Sequence, residues 1–329
     1  MDSFYRKVYP KSWFLIKNNL SLLFFGMFAS ILGFHEIKTL FNLNGATPDL
    51  LGSVLESWTI IIKALAVTNL TWASFPALLN IIAMFILFAI ILIMAVSSQG
   101  ALVYSTIQKQ KFKSSSKPSK FFEAFQIGVH KFWPLFGLNI LNTLIGYFFV
   151  ISVVQPLLSF LNNGNQETAV IYLLLAIIVF FILLPIIVII SFVTRYGAAY
   201  IVIKNEKLIP AFINGWNLFK INWLITVENI IVLLVITFLF YLALLTVSVF
   251  VFTPFLILAY FMSSFSIIFW LLIALGSLIT IVLFIVATSF FGAYYNIIWA
   301  NIFLELTSKG KSHSKIHRIA RKHLPRLAR

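Results

Sequence analysis

Apolar runs long enough to cross a hydrocarbon core recur along this chain, and no other feature limits its fold so severely. A core of roughly 30 Å takes about 20 helical residues. In lipid the backbone must satisfy its own N–H and C=O groups, so such a run is spent as a helix. Six runs qualify, at roughly 17–35, 76–104, 134–158, 169–200, 224–250 and 265–300. Only 10% of residues are charged and 61% are hydrophobic, too little polar surface for a soluble domain. The reading is an all-α membrane protein with six transmembrane helices in one polytopic domain, residues 1–308, followed by a basic tail, 309–329. The last two runs exceed one crossing, which predicts protrusion or a break around Pro254. Cysteine is absent, so disulfides and thiolate metal sites are excluded. The abundance of Phe, Ile, Lys and Asn is that of an AT-rich prokaryotic genome.

Charge sets the expected orientation. Segments 1–19, 105–133, 195–223 and 301–329 carry 4, 6, 4 and 8 Lys/Arg, which is 22 of the 24 in the chain. Lys and Arg accumulate on the cytoplasmic side, so both termini are predicted inside a cell membrane. The net charge of +15 is read as this topology signal, with attraction to anionic lipid headgroups as partners. A nucleic-acid reading would need a soluble basic domain, and none is visible. The N-terminus has the outline of a signal peptide. Its Trp-x5-Asn opening nevertheless recurs in mid-chain, so the first run is expected to be retained.

That opening is Trp13 with Asn19, Trp133 with Asn139, and Trp223 with Asn229. Gly26 and Gly146 follow two helical turns after the first two asparagines. Toward the outer end come Thr47-Pro48, Gln155-Pro156 and Thr253-Pro254. The returning runs end in Ser97-x-x-Gly100-Ala101, Thr194-x-x-Gly197-Ala198 and Ser289-x-x-Gly292-Ala293, with Tyr104, Tyr200 and Tyr295 beyond. Small residues four apart let helix backbones approach closely in lipid. Three parallel two-helix repeats are therefore predicted, at about 1–107, 118–206 and 208–306, around a pseudo-threefold axis. The tryptophans are read as interface anchors. Residues 36–75 are read as an outer surface helix capped by Thr47, with Trp58 and Trp72 at the interface. The Asn69-Leu70-Thr71 sequon carries no weight in a chain of prokaryotic composition.

Before spans 3 and 5 lie "KFFEAFQIGVHKFW" and "PAFINGWNLFKINW". Phe121, Phe122, Phe125, Val129, Phe132 and Trp133 fall at helical spacing, as do Phe212, Ile213, Trp216, Phe219 and Trp223. These predict amphipathic elbow helices in the headgroup layer. The shallow asparagines are read first as interhelical glue. Glu228 is the one carboxylate within a span, and an intramembrane ion needs a partner. Arg195 is at the matching depth, which predicts an ion pair across spans 4 and 5, structural or coupled to a proton or ligand. Arg195, Glu228, Asn139, Asn142 and Asn229 form the candidate polar cluster.

Residues 191–236 resemble the six-span membrane domain found in some bacterial glycerophosphodiester phosphodiesterases. The residues that carry the likeness are Tyr196-Gly197-Ala198, Ala211, Gly215-Trp216 and Lys220-x-Asn222-Trp223, with Ala124-x3-Gly128 as a weaker echo. That family's hydrolase is a separate soluble barrel, for which this chain has no room. The resemblance implies a membrane module without the catalytic barrel.

No catalytic, cofactor or metal set is visible: GxSxG, HExxH, Walker and Rossmann motifs are absent. His313 and His317 are four apart but sit among basic residues that repel a cation. The tail is read as a basic surface helix, with docking to a cytoplasmic protein as the alternative. The leading functional reading is a non-enzymatic membrane scaffold or accessory factor in envelope or lipid homeostasis. A small transporter or channel is second, and a lipid-acting enzyme third for want of a nucleophile–base set. Three two-helix repeats with prolines resemble mitochondrial carriers in architecture, but Pro156-Leu157-Leu158 and Pro254-Phe255-Leu256 lack the charged signature of carriers.

Overall fold

The computed structural model describes residues 4–30, 75–111, 121–149, 152, 166–262 and 265–308. The described residues are helical apart from short breaks. In chain order the helices are α1 (Phe4–Lys17), α2 (Ser21–Ser30), α3 (Phe75–Lys111), α4 (Phe121–His130), α5 (Phe132–Phe149), α6 (Gln166–Lys204), α7 (Leu208–Ile221), α8 (Trp223–Phe261) and α9 (Ser266–Ser308). Four helices are long and apolar enough to cross a membrane, within α3, α6, α8 and α9. The remaining two predicted spans lie partly outside the described residues. So do Pro48, Trp58, Trp72, Pro156 and the tail.

Local chemistry explains the breaks. Pro134 has no N–H to give to the carbonyl of His130, and its ring crowds that carbonyl. The helix therefore stops at His130, pivots at Lys131 and restarts, with Pro134 tolerated in the first turn of α5. Asn222 makes the second pivot: its side-chain amide bonds back to the carbonyl of Leu218 at 3.2 Å, and its N–H bonds to Leu218 and Phe219. Asn205 ends α6 in the left-handed region, φ 60°, a conformation asparagine adopts more readily than most residues. Short separate helices, α4 and α7, thus occupy the two stretches read as elbows.

Of the two outcomes expected for this long run, a break around Pro254 does not form. α8 runs through Pro254 without a break and turns only after Phe261. Thr253 donates to the Val249 carbonyl one turn back in the same helix, at 2.7 Å.

Helices α3, α6 and α9 touch one another pairwise and form the centre. Helix α5 packs on α6 and α3, and α8 packs on α9. The elbows fold back onto the helix that precedes them, α4 on α3 and α7 on α6. Their protein-facing stripe is made of small residues. Ala124 and Gly128 are buried in α4, and Ala211 and Gly215 in α7, while Phe122, Val129, Ile213 and Trp216 are exposed. Part of the apolar face predicted for each elbow is thus exposed, and the protein-facing side is the small-residue stripe.

Candidate functional site

The seats of the elbows are the Ser/Thr-x-x-Gly-Ala motifs. A Cβ on Gly128 would strike the Ser97 carbonyl and come within 3.2 Å of the Ala101 nitrogen. One on Gly215 would lie 2.7 Å from the Val193 carbonyl and 3.0 Å from the Gly197 nitrogen. The third motif is filled from the other end of the chain. Gly26 of α2 lies against Ser289 and Ala293, and a Cβ on Gly292 would meet the Gly26 carbonyl at 2.5 Å. Of the predicted packing residues, Gly292 meets backbone directly, Ala101 and Ala293 lie against Gly128 and Gly26, Gly100 and Gly197 lie nearest the Leu135 and Leu138 side chains, and Ala198 is buried beside the cavity described below.

The tryptophans do not share one local setting. Trp133 and Trp223 stand in the first turns of α5 and α8, directly after a break, whereas Trp13 lies inside α1, before its break at residues 18–20. All three are exposed. Trp13 also presents an edge to Phe290 at 4.9 Å. Gly26 and Gly146 differ as well: Gly26 is wedged against α9, and no atom of the described residues lies within 4 Å of the would-be Cβ of Gly146. The Trp-x5-Asn register therefore sets residues in different surroundings side by side.

Three of the five residues of the predicted polar cluster line a cavity. Asn139, Asn142 and Arg195 line one cavity of about 30 Å³, room for water and little more. Gln99, Thr194, Tyr295 and Asn296 complete its polar wall, with Ala29, Leu138 and Ala198. Asn139 donates to the Gln99 carbonyl oxygen and to the Leu135 backbone, both at 2.9 Å. The Arg195 guanidinium lies over the Tyr295 ring at 4.5 Å and near Trp299 at 5.7 Å, a cation–π setting of about 0.5–2 kcal/mol. Three central helices and α5 thus converge on Arg195.

Glu228 and Asn229 are buried on α8 and are not among the residues that line the cavity. Helix α8 packs chiefly on α9. Where α6 and α8 do meet, Tyr196 and Thr226 share a buried hydroxyl hydrogen bond of 2.8 Å. Asn229 accepts from the Tyr9 hydroxyl at 2.7 Å. Burial, and then the neighbouring Tyr294 and Tyr295, hold the Tyr9 phenol well above its ordinary pKa. A second hook lies close by: Asn301 donates to the Ser12 hydroxyl at 2.8 Å, fully buried. Helix α1 is thus tied to the last two helices of the chain.

Sequence reasoning missed Gln99, Asn296, Tyr9 and Ser12. Gln99 stood in view as the polar residue inside Ser97-x-x-Gly100. The partners of Tyr9 and Ser12 are more than 200 residues away, and no local pattern announces them. Among the described residues no three His, Cys, Asp or Glu side chains gather as a metal site. No protein-family model, curated protein or solved structure matches the chain.

Proposed function

We propose that this chain is a non-enzymatic membrane module of six spans in three parallel two-helix repeats. Both ends lie on the cytoplasmic side of a cell membrane, and the elbows lie in its headgroup layer. It acts as a scaffold or accessory factor in envelope or lipid homeostasis, resembling a membrane domain of the phosphodiesterase type. The observation that carries this reading is the use made of small and polar residues. Glycine and alanine motifs are consumed in backbone contact, and buried amides such as Asn229 and Asn301 tie helix to helix. Among the described residues, the cavity at Arg195 has room for little more than water. Lipid and a protein partner are the expected contacts.

A second reading, a small transporter or channel, has one observation in its favour. Asn139, Asn142 and Arg195 border the same cavity at the meeting of the central helices, as an intramembrane pathway would require. Isolation of the tagged chain in native nanodiscs, followed by mass spectrometry of protein and lipid, tests the first reading. A stoichiometric protein or lipid companion is expected. Solute or ion flux in proteoliposomes that disappears in Arg195→Gln would replace the module with the transporter.

A further inference from the structure

The sequence names two elbow helices, and the start of the chain holds another helix made in the same way. Helix α1 ends at Lys17, and after a break at residues 18–20 the chain resumes as α2. Asn19 makes that break: its side-chain amide bonds back to the Leu15 carbonyl at 2.7 Å, as Asn222 bonds back to Leu218 at the end of α7. The two junctions use one device. Their stations on the long helices agree as well. Helix α4 lies on Ser97 and Ala101, and α7 on Val193 and Gly197. Trp13 of α1 meets Phe290 at 4.9 Å and Tyr294 at 6.2 Å, on either side of Gly292-Ala293.

The exposed side of α1 has a definite chemistry. Val8, Ser12, Leu15 and Ile16 form its buried stripe, held down by the Tyr9–Asn229 and Ser12–Asn301 hydrogen bonds. On the other side, at about 100° per residue, Trp13 stands at one edge, Lys17 and Phe14 follow, and Lys7 and Lys11 close the far edge. Trp13 and Phe14 are 52% and 64% exposed, an arrangement that water penalises and a bilayer interface rewards. Ser12 meets α9 at Asn301, whereas Trp13 meets it at Phe290, nearer the apolar run, so the aromatic edge is the one toward hydrocarbon. Arg6, Lys7, Lys11 and Lys17 are basic, and no residue of α1 is acidic. Aromatic residues on one edge and cations beside them fit an anionic lipid surface.

We propose that α1 is a docking helix for the anionic leaflet on the basic side of the membrane. Trp13 and Phe14 enter the boundary between headgroups and acyl chains, and Lys17 between them reaches a lipid phosphate. The depth rests on the reading that the elbows lie in the headgroup layer, and the measurements below separate the two.

The chain has no cysteine, so a label can be placed at one site at a time. The full chain carrying Phe14→Cys, Lys11→Cys or Ile213→Cys is given a nitroxide and reconstituted in vesicles of phosphatidylcholine and phosphatidylglycerol. Collisions of the label with oxygen and with a water-soluble nickel chelate are then compared. The label at 14 should favour oxygen several-fold more than the label at 11, and should match the one at 213 on the exposed side of α7. A nickel-favoured label at 14 beside an oxygen-favoured label at 213 would overturn the proposal, leaving the elbows in place and the α1 face to a water-soluble partner. Nickel-favoured labels at both sites would overturn it together with the headgroup placement of the elbows. Charge is read with a fluorophore at Phe14→Cys and doxyl-labelled lipids as quenchers. Doxyl phosphatidylglycerol should quench more strongly than doxyl phosphatidylcholine, and Lys17→Gln should lower that preference by up to about fivefold. Equal quenching by the two lipids, before and after Lys17→Gln, would overturn the anionic assignment.

Discussion

A methyl group added at Gly128 would run into the Ser97 carbonyl, and one added at Gly26 into the Ser289 carbonyl. Backbone atoms of a packed helix yield little, so Gly128→Ala and Gly26→Ala should each destabilise the protein by about 1–3 kcal/mol, read by thermal or SDS unfolding. Gly146→Ala meets open space and should be neutral or stabilising by up to about 1 kcal/mol, because alanine is the better helix former. Tyr9 offers a second residue-scale test. Tyr9→Phe leaves the fully buried Asn229 oxygen without its donor and should cost about 1–3 kcal/mol. Its pH dependence has a definite sign. The folded phenol has the raised pKa, so its contribution is complete below the unfolded pKa of about 10 and is lost as pH rises beyond it. Wild type should therefore lose stability above pH 10 more steeply than Tyr9→Phe, in paired unfolding curves across that range.

At the scale of elements, the long helices could be read from the sequence because uninterrupted apolar runs leave few alternatives. Predicted starts at 76, 169, 224 and 265 fall close to the observed Phe75, Gln166, Trp223 and Ser266. The far ends were less legible: Pro254 suggested a stop, yet the helix continues, since a proline's lost hydrogen bond is tolerable where neighbours re-satisfy the backbone. The elbow helices were legible too, but not their seats. Aromatic periodicity drew the eye to one face, whereas close backbone approach is possible only through Ala124-x3-Gly128 and Ala211-x3-Gly215. Labelling makes the elbow prediction concrete, because the chain has no cysteine and any introduced one is unique. Lys131→Cys and Lys220→Cys, at the ends of the two elbows, should react with an impermeant maleimide only after the cytoplasmic side is opened. Reaction from the outside in intact cells would reverse the orientation.

For the whole molecule, the joint between the first and last helices is the decisive feature. Two motifs receive an elbow from the next segment in sequence, and the third, at Ser289–Ala293, receives α2 from the start of the chain. Tyr9 and Ser12 reinforce this closure through Asn229 and Asn301. Removal of residues 1–30 should therefore expose the Gly292–Ala293 surface of α9 and abolish monodisperse protein in size-exclusion chromatography. Co-expression of residues 1–30 as a separate peptide should restore part of it. An unchanged elution profile for the truncated chain would mean that the closure contributes little to the assembled bundle.

What the sequence determined unaided was class, helix content and the identity of the packing motifs, because hydrophobic length and small-residue spacing act locally and lipid offers the backbone few alternatives. It also singled out Arg195, Asn139 and Asn142, since polar side chains are conspicuous in apolar runs. Only the tertiary structure could show that those three line one cavity, and bring Gln99 and Asn296 to join them. Which buried polar groups share a cavity depends on how helices are arranged around one another. That arrangement is fixed by contacts between residues hundreds of positions apart, and they leave no periodic trace along the chain.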